Sequence, residues 1–526
     1  MAVSPANPGV PQTKRHDLWT DFLSFLPHEL TPHSHRLFFA FLWFFYALHP
    51  FGTVYHLEGD NLCQIAYFKI LLKPFLAGSL GASAVKPGVV LLLGGTYNLS
   101  TWMLGNAILV WFLVVSLAAT FTWFVMQWTA KLGGHFAAWA AFGLLFSTDF
   151  PLHFMRGTSQ LFFLPILLGG LFLIPHRKHV YGIALILVAG LFRVEGFFIG
   201  GCLLLFFMVR KGINRKECFG LFVFLSTLIG LFVGVTAWVQ GGLHRFAGGS
   251  SVGYTLGNTL LESSTEQGFL LFQDLWTKYP VALLLLVPSL WLLWRDTDSR
   301  TLAWMFLVPL FLLLYKALFA ANLVPRYFAF LVPFSLCTGV AGSFRWLCTV
   351  FSGRQRALFR GKALFTLCSG TLGAYFFYTQ VMTIDFTKAY QPAIEDGRLA
   401  ARSPLIPAGQ RVLVDDPLLF TWLIDDDTHF TRVLAIQAFA QKNLAEQTEA
   451  IASFDYIYLS TGQENRPFSY FNFIPKNREW NDPLRQLIIQ TLSTGKPTTF
   501  GDVEFHRFHL DEARGIVQIL SRSSQR

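Results

Sequence analysis

The sequence predicts an α-helical polytopic membrane protein of about eleven crossings, followed by a small C-terminal α/β soluble domain. Composition is the first reason: the 526 residues are 53% hydrophobic and 16% aromatic but only 14% charged. Soluble domains carry roughly 25% charged residues. The second reason is length, because several apolar runs reach the roughly 17 to 25 residues that a helix needs to cross a bilayer core.

The N-terminal segment is polar and Pro-rich, MAVSPANPGVPQTKRHD, and the first apolar run starts only near Leu37. A cleavable signal peptide has its short apolar core much closer to the start. We therefore expect residues 1–35 to form a cytoplasmic tail and the first span to act as an uncleaved anchor.

The predicted membrane region covers residues 36–384, and its apolar runs give the spans. These lie near 36–54, 102–127, 134–149, 158–174, 180–209, 218–240, 280–294, 301–321, 326–350 and 363–384.

The run from Val180 to Val209 is too long for one crossing, since about 30 helical residues would extend about 45 Å. Basic residues flank it on both sides, at 176–179 and at 210–216. The positive-inside rule therefore places both ends in the cytoplasm. A hairpin of two short helices, with its bend at FRVEG (192–196), satisfies both constraints and puts the C-terminus outside.

With this topology, many polar residues outside the basic loops share the non-cytoplasmic face. They are Asp60, Asp149, Arg156, Arg193, Glu195, Glu262, Glu266 and Arg326.

The net charge of +10 would suggest nucleic-acid binding in a soluble protein, but here Lys and Arg cluster in short loops between spans. Topology explains them, so we expect no nucleic acid partner. The six cysteines show no metal-binding spacing, and we interpret most of them as small buried hydrophobic residues.

The tail, residues 385–526, has the mixed, charged composition of a soluble domain. RVLVDDP (411–417) and DYIYLS (455–460) predict strands, with a helical stretch between them. We expect an extracytoplasmic α/β domain with a scaffold or acceptor-handling role, since the tail has no Gly-rich nucleotide-binding loop.

Two carboxylates, Glu58 and Asp60, follow the first span. The next residues, CQIAYFKILLKPFLAG, predict a helix lying in the membrane interface, with Lys69 and Lys73 four residues apart. A general base or a metal ligand there would meet a lipid head group. The alternative is that Glu58 and Asp60 only cap this helix and face water.

Three other segments carry charges at the same face. In FRVEG, either Arg193 binds a lipid phosphate while Glu195 orients it, or the two form a structural ion pair. At the start of a late span, Arg326 either binds phosphate beside Tyr327 or extends to the interface. In the second outer loop, Asp149, His153 and Arg156 lie within STDFPLHFMRG (147–157), where Asp149 before Phe150 and Pro151 can also be a turn residue.

These motifs together resemble the polytopic GT-C glycosyltransferases, in particular bacterial enzymes similar to protein O-mannosyltransferases and to the lipid A aminoarabinose transferase. EGDNLCQIAYFKILL resembles the family's acidic first loop and interfacial helices. FRVEG resembles its TRPEG-like break, with Val194 in place of Pro, and PRYFAFLVPF resembles its RY pair. Asn61, Thr158 and Gln160 stand where many relatives have acidic residues.

The resemblance implies transfer of a sugar from a polyprenyl-phosphate donor to a protein, lipid or glycan acceptor, at the outer face of the bacterial cytoplasmic membrane. It implies Asp60, with Glu58 or Asp149, as catalytic carboxylates. The residues implied for binding the lipid phosphate are Arg193, Glu195, Arg326, Tyr327, Lys69 and Arg156.

A divalent metal, Mg²⁺ or Mn²⁺, held by Asp60, Asp149 and His153 stays an open alternative. Two other functions also stay open. One is a transporter or flippase of lipid-linked sugars, and the other is a non-catalytic protein that assembles envelope polysaccharide.

Overall fold

The computed structural model describes a set of separate segments of the chain. They are residues 32–48, 59–73, 85–105, 108–147, 159–174, 178–210, 212–242, 273, 276, 280–295, 331–352, 354–383, 405–414, 430–435, 444–460, 487–488, 490–510 and 514–521.

Helices make up the described chain before residue 384. They are α1 (Pro32–Leu48), α2 (Gly59–Leu72), α3 (Pro87–Val89), α4 (Gly95–Leu104), α5 (Ile108–Gly133), α6 (His135–Leu145), α7 (Ser159–Leu173), α8 (His179–Ala189), α9 (Glu195–Val209), α10 (Arg215–Gln240), α11 (Pro280–Arg295), α12 (Leu331–Val350) and α13 (Gln355–Thr383). A π-helical turn, Val90–Gly94, joins α3 directly to α4.

The predicted hairpin is present. α8 and α9 pack antiparallel, because Gly190 lies against Phe197 and Leu187 lies against Gly200. At the open end, the rings of His179 and Phe207 stack with their centroids 4.3 Å apart. The two helices have 11 and 15 residues, or about 16 and 22 Å. The prediction that this run folds back on itself is confirmed.

Among the described helices, α5 and α10 are long and apolar enough to cross a bilayer, with mean hydropathies of 2.3 and 2.4. Shorter apolar helices of 10–17 residues accompany them, within α1, α6, α7, α8, α9 and α11. The count of about eleven crossings stays a prediction, as does the division into domains at residue 384.

Several helix ends differ from the hydropathy-based boundaries, among them both ends of α5, which ends at Gly133 rather than near residue 127. α5 begins at Ile108 rather than near residue 102, because Trp102 belongs to the end of α4, which terminates where Gly105 adopts φ +66°. α13 begins at Gln355 rather than near residue 363, because Arg356 and Arg360 extend the helix beyond its apolar run. A helix is set by backbone hydrogen bonds, and these continue past a change in hydropathy.

Close helix contacts rely on glycine. A Cβ on Gly373 of α13 would clash with the backbone carbonyl of Gly143 in α6, so these helices touch backbone to backbone. Such contacts are typical of membrane helix pairs.

The cysteines are less buried than we expected. Of the five described, Cys337 is buried, Cys368 is exposed and the others are half-buried. The prediction of burial is therefore correct for one of these five. An exposed cysteine on a membrane helix still lies in an apolar environment where that helix faces lipid.

The described C-terminal part is a mixed six-stranded sheet. Its strands are β1 (Gln410–Val414), β2 (Phe430–Ala435), β3 (Tyr456–Ser460), β4 (Thr498–Phe500), β5 (Val503–Leu510) and β6 (Arg514–Ser521), in the order β2-β1-β3-β6-β5-β4. β1 pairs in parallel with β2 and β3, and the other pairs are antiparallel. The strands predicted in RVLVDDP and DYIYLS are β1 and β3, and helix α14 (Leu444–Ala452) lies between them in sequence.

Candidate functional site

The bend of the hairpin places an arginine and a glutamate side by side. Arg193 Nη2 donates a hydrogen bond of 2.6 Å to Glu195 Oε1. The Arg193 side chain is 9% exposed and that of Glu195 is 21% exposed. Pairing offsets the cost of removing either charge from water. Of the two interpretations of FRVEG, the ion pair is therefore present, and the phosphate-binding role stays a proposal.

Local backbone geometry explains this pairing. A Cβ on Gly196 would clash with the backbone nitrogen of Gly190, so glycine permits the tight reversal. Glu195 is the first residue of α9, where the helix dipole favours a carboxylate. Val194 has a φ of −55°, which proline also adopts. Val at this position is thus compatible with the same bend as the Pro of the TRPEG-like motif that FRVEG resembles.

The start of α7 reaches the same bend. Arg193 Nη1 donates to Ser159 Oγ over 3.4 Å, a long hydrogen bond. One turn further along α7, the ring of Phe162 stacks on that of Phe192 at 6.2 Å, with an interplanar angle of 6°. The start of α7 is therefore fixed against FRVEG.

The first-loop helix α2 carries Asp60 in its first turn. Its described side chains begin at Gln64. The helix was predicted to lie in the interface with one apolar face, yet Gln64 and Lys69 are 1% and 4% exposed. The polar side chains of α2 are therefore buried within the protein, whereas a helix lying in the membrane interface would expose them to water.

Lys69 is held in a polar and aromatic environment. Its Nζ lies 5.7 Å from the centroid of the Tyr97 ring, and Tyr97 is itself buried. A cation above an aromatic face regains part of the free energy lost by desolvation. A buried cation on this helix is suited to an anionic group, although its position is more enclosed than an interfacial lysine would be.

The segment from Lys86 to Gly94 connects α2 to the hairpin bend. The backbone N–H of Lys86 donates to Gln64 Oε1 over 2.9 Å. The N–H of Gly88 donates to the carbonyl of Leu191 over 2.9 Å. Gly94 packs so tightly on Phe68 that a Cβ there would clash. The helix that carries Asp60 and the bend that carries Arg193 are therefore parts of one packed unit.

The other predicted site residues lie outside the described residues. These are Glu58, Asp149, Arg156, Arg326 and Tyr327, together with His153, and the side chain of Asp60. Their roles stay predictions.

The proposed divalent metal site also stays a prediction. Within the described ranges, no group of three or more His, Cys, Asp and Glu residues lies close enough to hold a metal ion. All three residues suggested as ligands, Asp60, Asp149 and His153, have side chains outside those ranges. A metal site built from them stays a prediction.

Sequence reasoning missed Ser159, Tyr97 and Gln64. Ser159 follows the polar second loop directly, so its position at a helix start was a usable indication. Tyr97 and Gln64 act through long-range packing, and the single sequence contains no local pattern that pairs them with Lys69 or Lys86.

Comparison with known proteins finds solved structures of similar fold, but no match by sequence. No protein-family profile matches the chain. No curated protein matches it by sequence.

Solved structures are similar along nearly the whole length. The structure of ArnT from Cupriavidus metallidurans bound to undecaprenyl phosphate has 11% identity and a TM-score of 0.53, covering 93% of this chain and 98% of that one. Apo ArnT has 14% identity and a TM-score of 0.51, covering 92% and 98%. The apo oligosaccharyltransferase of Archaeoglobus fulgidus has 13% identity and a TM-score of 0.51, covering 84% and 71%.

The helices, the short hairpin and these likenesses define a polytopic helical membrane fold. More specifically, the chain has the GT-C fold that was expected from its motifs.

Proposed function

We propose that this protein transfers a sugar from a polyprenyl-phosphate donor to an acceptor at the outer face of the bacterial cytoplasmic membrane. The observation that carries this proposal is the likeness to ArnT, a protein crystallised with undecaprenyl phosphate, over 93% of the chain. The paired arginine at the hairpin bend and the first-loop helix that carries Asp60, which residues 86–94 join to that bend, support the same function.

The donor phosphate is an anion anchored in the bilayer, so its site needs cations. Arg193 offers a planar guanidinium that matches phosphate geometry, and Glu195 fixes its orientation. Lys69 and Arg326, beside Tyr327, complete the proposed phosphate site, with Arg156 at its edge. Arg193 is already paired with Glu195, and the further cations are proposed to add positive charge around the phosphate.

Asp60 is the proposed general base. It takes the proton of the acceptor hydroxyl or amine while the acceptor atom forms a bond to the anomeric carbon. The bond from that carbon to the phosphate oxygen breaks, and its electron pair stays on the phosphate. The polyprenyl phosphate leaves as a monoester stabilised by the cations. Glu58 and Asp149 are proposed to assist at the same centre.

Native mass spectrometry of the full chain, purified from its host's membranes, tests the proposal. We expect bound polyprenyl phosphate, with or without a sugar, in the wild type. Arg193→Ala should lose this lipid. Arg215→Ala should keep it, because Arg215 is exposed at the start of α10, on the chain beyond the open end of the hairpin.

Asp60→Asn separates binding from catalysis. We expect this variant to keep the sugar-loaded lipid and to lose transfer, since Asn cannot accept the proton. A wild type that carries only bulk phospholipid would overturn the proposal. Bound lipid-linked sugar with full turnover in Asp60→Asn would overturn the role of Asp60, and bound lipid without any transfer would favour a transporter.

A further inference from the structure

The central strands β1 and β3 of the C-terminal sheet are buried on both faces. Side chains alternate along each strand, so neighbouring residues point to opposite sides. Leu413 and Ile457 belong to the same hydrophobic cluster as Ile451 of α14, which is the core between the sheet and that helix. Val414 and Tyr458, one position further along each strand, belong to a different cluster. The second face therefore points away from α14.

Residues of the first loop and of α10 cover that second face. One hydrophobic cluster unites them with the sheet: Ala66, Tyr67, Ile70, Val85, Val90, Val239, Ile406, Val412, Val414, Tyr456, Tyr458 and Ile516. Tyr67 and Tyr458 are among the largest fully buried side chains of the protein, at 0% and 1% exposed. Helix α2 is thus enclosed between the π-helical turn on one side and this cluster on another.

Tyr67 links the cluster to Asp60. The two residues are on one helix, seven positions and so about 10 Å apart along its axis. A helix of 14 residues transmits a displacement along its length, so holding Tyr67 also holds the backbone of Asp60. Catalytic geometry is demanding, because a misplacement of about 1 Å can lower turnover on the order of 100-fold.

We propose that the C-terminal sheet positions the first-loop helix for catalysis through the shared hydrophobic cluster, in which Tyr67 is the positioning residue on the helix. The catalytic part of this statement rests on the proposed function of Asp60. The sheet then acts as a support for α2, and its second face is the surface that sets where Asp60 lies.

Two adjacent residues of β1 make a matched test. Val414→Ala removes apolar volume from the face shared with α2, and Leu413→Ala removes it from the face shared with α14. Backbone amide exchange over residues 64–72 is measured in the full-length protein. We expect Val414→Ala to speed exchange there about tenfold, and Leu413→Ala to leave it unchanged. Val412→Ala should repeat the first result.

Steady-state kinetics supplies the second readout, with the sugar-loaded polyprenyl lipid extracted from host membranes as donor. Val414→Ala and Val412→Ala should lower kcat on the order of tenfold while KM for the lipid stays within about twofold. Leu413→Ala should change neither.

The outcomes are distinct. Equal exchange over residues 64–72 in the variants of both faces would overturn the support of α2 by the sheet, whatever the kinetics. Faster exchange only in the Val412 and Val414 variants, with unchanged kcat, would overturn its role in catalysis. Faster exchange in a protein that transfers no sugar would leave the support intact and refute the proposed function.

Discussion

The Nη2 atom of Arg193 lies 2.6 Å from Oε1 of Glu195, two residues later in the chain, at the point where the hairpin reverses. Both side chains are largely removed from solvent, and the charge of each offsets the desolvation cost of the other. The pair therefore serves the fold even before a ligand arrives.

Breaking this pair should destabilise the protein. We expect Arg193→Ala and Glu195→Gln each to lower the free energy of unfolding by up to about 3 kcal/mol, because each leaves a poorly solvated group behind. Thermal unfolding followed by tryptophan fluorescence measures the effect. Arg215→Ala is the matched control, and a melting temperature equal to that of this control in both variants would show that the pair contributes nothing.

The bend depends on Gly196. We expect Gly196→Ala to cost about 1–3 kcal/mol, because its new methyl group would clash with the backbone of Gly190. Gly201→Ala on the same helix meets nothing within 4 Å and should be neutral or slightly stabilising. Melting temperatures and yields of folded protein compare the two. Equal losses in both variants would refute the close packing of the bend.

The hairpin topology can be tested by labelling. In a background without native cysteines, Val194→Cys should react with a membrane-impermeant maleimide in right-side-out vesicles, because the predicted topology places the bend outside. Arg215→Cys should react only after the membrane is permeabilised, since the positive-inside rule places it in the cytoplasm. Both positions are more than a third exposed. The reverse pattern would invert the topology.

The C-terminal sheet should lose stability in acid. The hydrogen bonds from Arg411 hold the pKa of Asp455 below its usual value. A carboxyl whose pKa is lower in the folded state stabilises the fold above its unfolded pKa of about 3.9. This contribution disappears as the pH falls through the lowered folded value.

We therefore expect amide exchange in β1 and β3 to accelerate in the wild type, relative to Asp455→Asn, as the pH falls below about 4. Protection at each pH is expressed as the ratio of the intrinsic exchange rate to the measured rate. Asp455→Asn should be less protected at pH 7 and should approach the wild type at the acidic end. A difference between the two proteins that is constant with pH would contradict the assignment.

The hairpin and the pairing of Arg193 with Glu195 could be predicted because their causes are local. The flanking charges and the length of one apolar run determine a reversal, and two charges separated by one residue at a bend are close by necessity. The helix that starts beside Asp60 was likewise visible in the pattern of residues 63–75. All of these depend on short stretches of sequence.

The burial of Lys69 and the contact of Arg193 with Ser159 could not be predicted in this way. Each depends on how helices from distant parts of the chain pack, and membrane helices pack through shape rather than through a repeating pattern. The cluster that unites Tyr67 with Tyr458 is the clearest case, since its members come from both ends of the chain. Nothing near either tyrosine in sequence indicates its partner.

The π-helical turn at Val90–Gly94 constrains how this sequence can change in length. Each residue of an α-helix adds about 100° of rotation, so deleting one residue from the turn would change the phase of α3 relative to α4. Gly88 could then no longer meet Leu191 while Gly94 meets Phe68. Substitutions of similar size should thus be tolerated in this stretch far better than insertions or deletions, and its residue count acts as a fixed spacer between the two halves of the site.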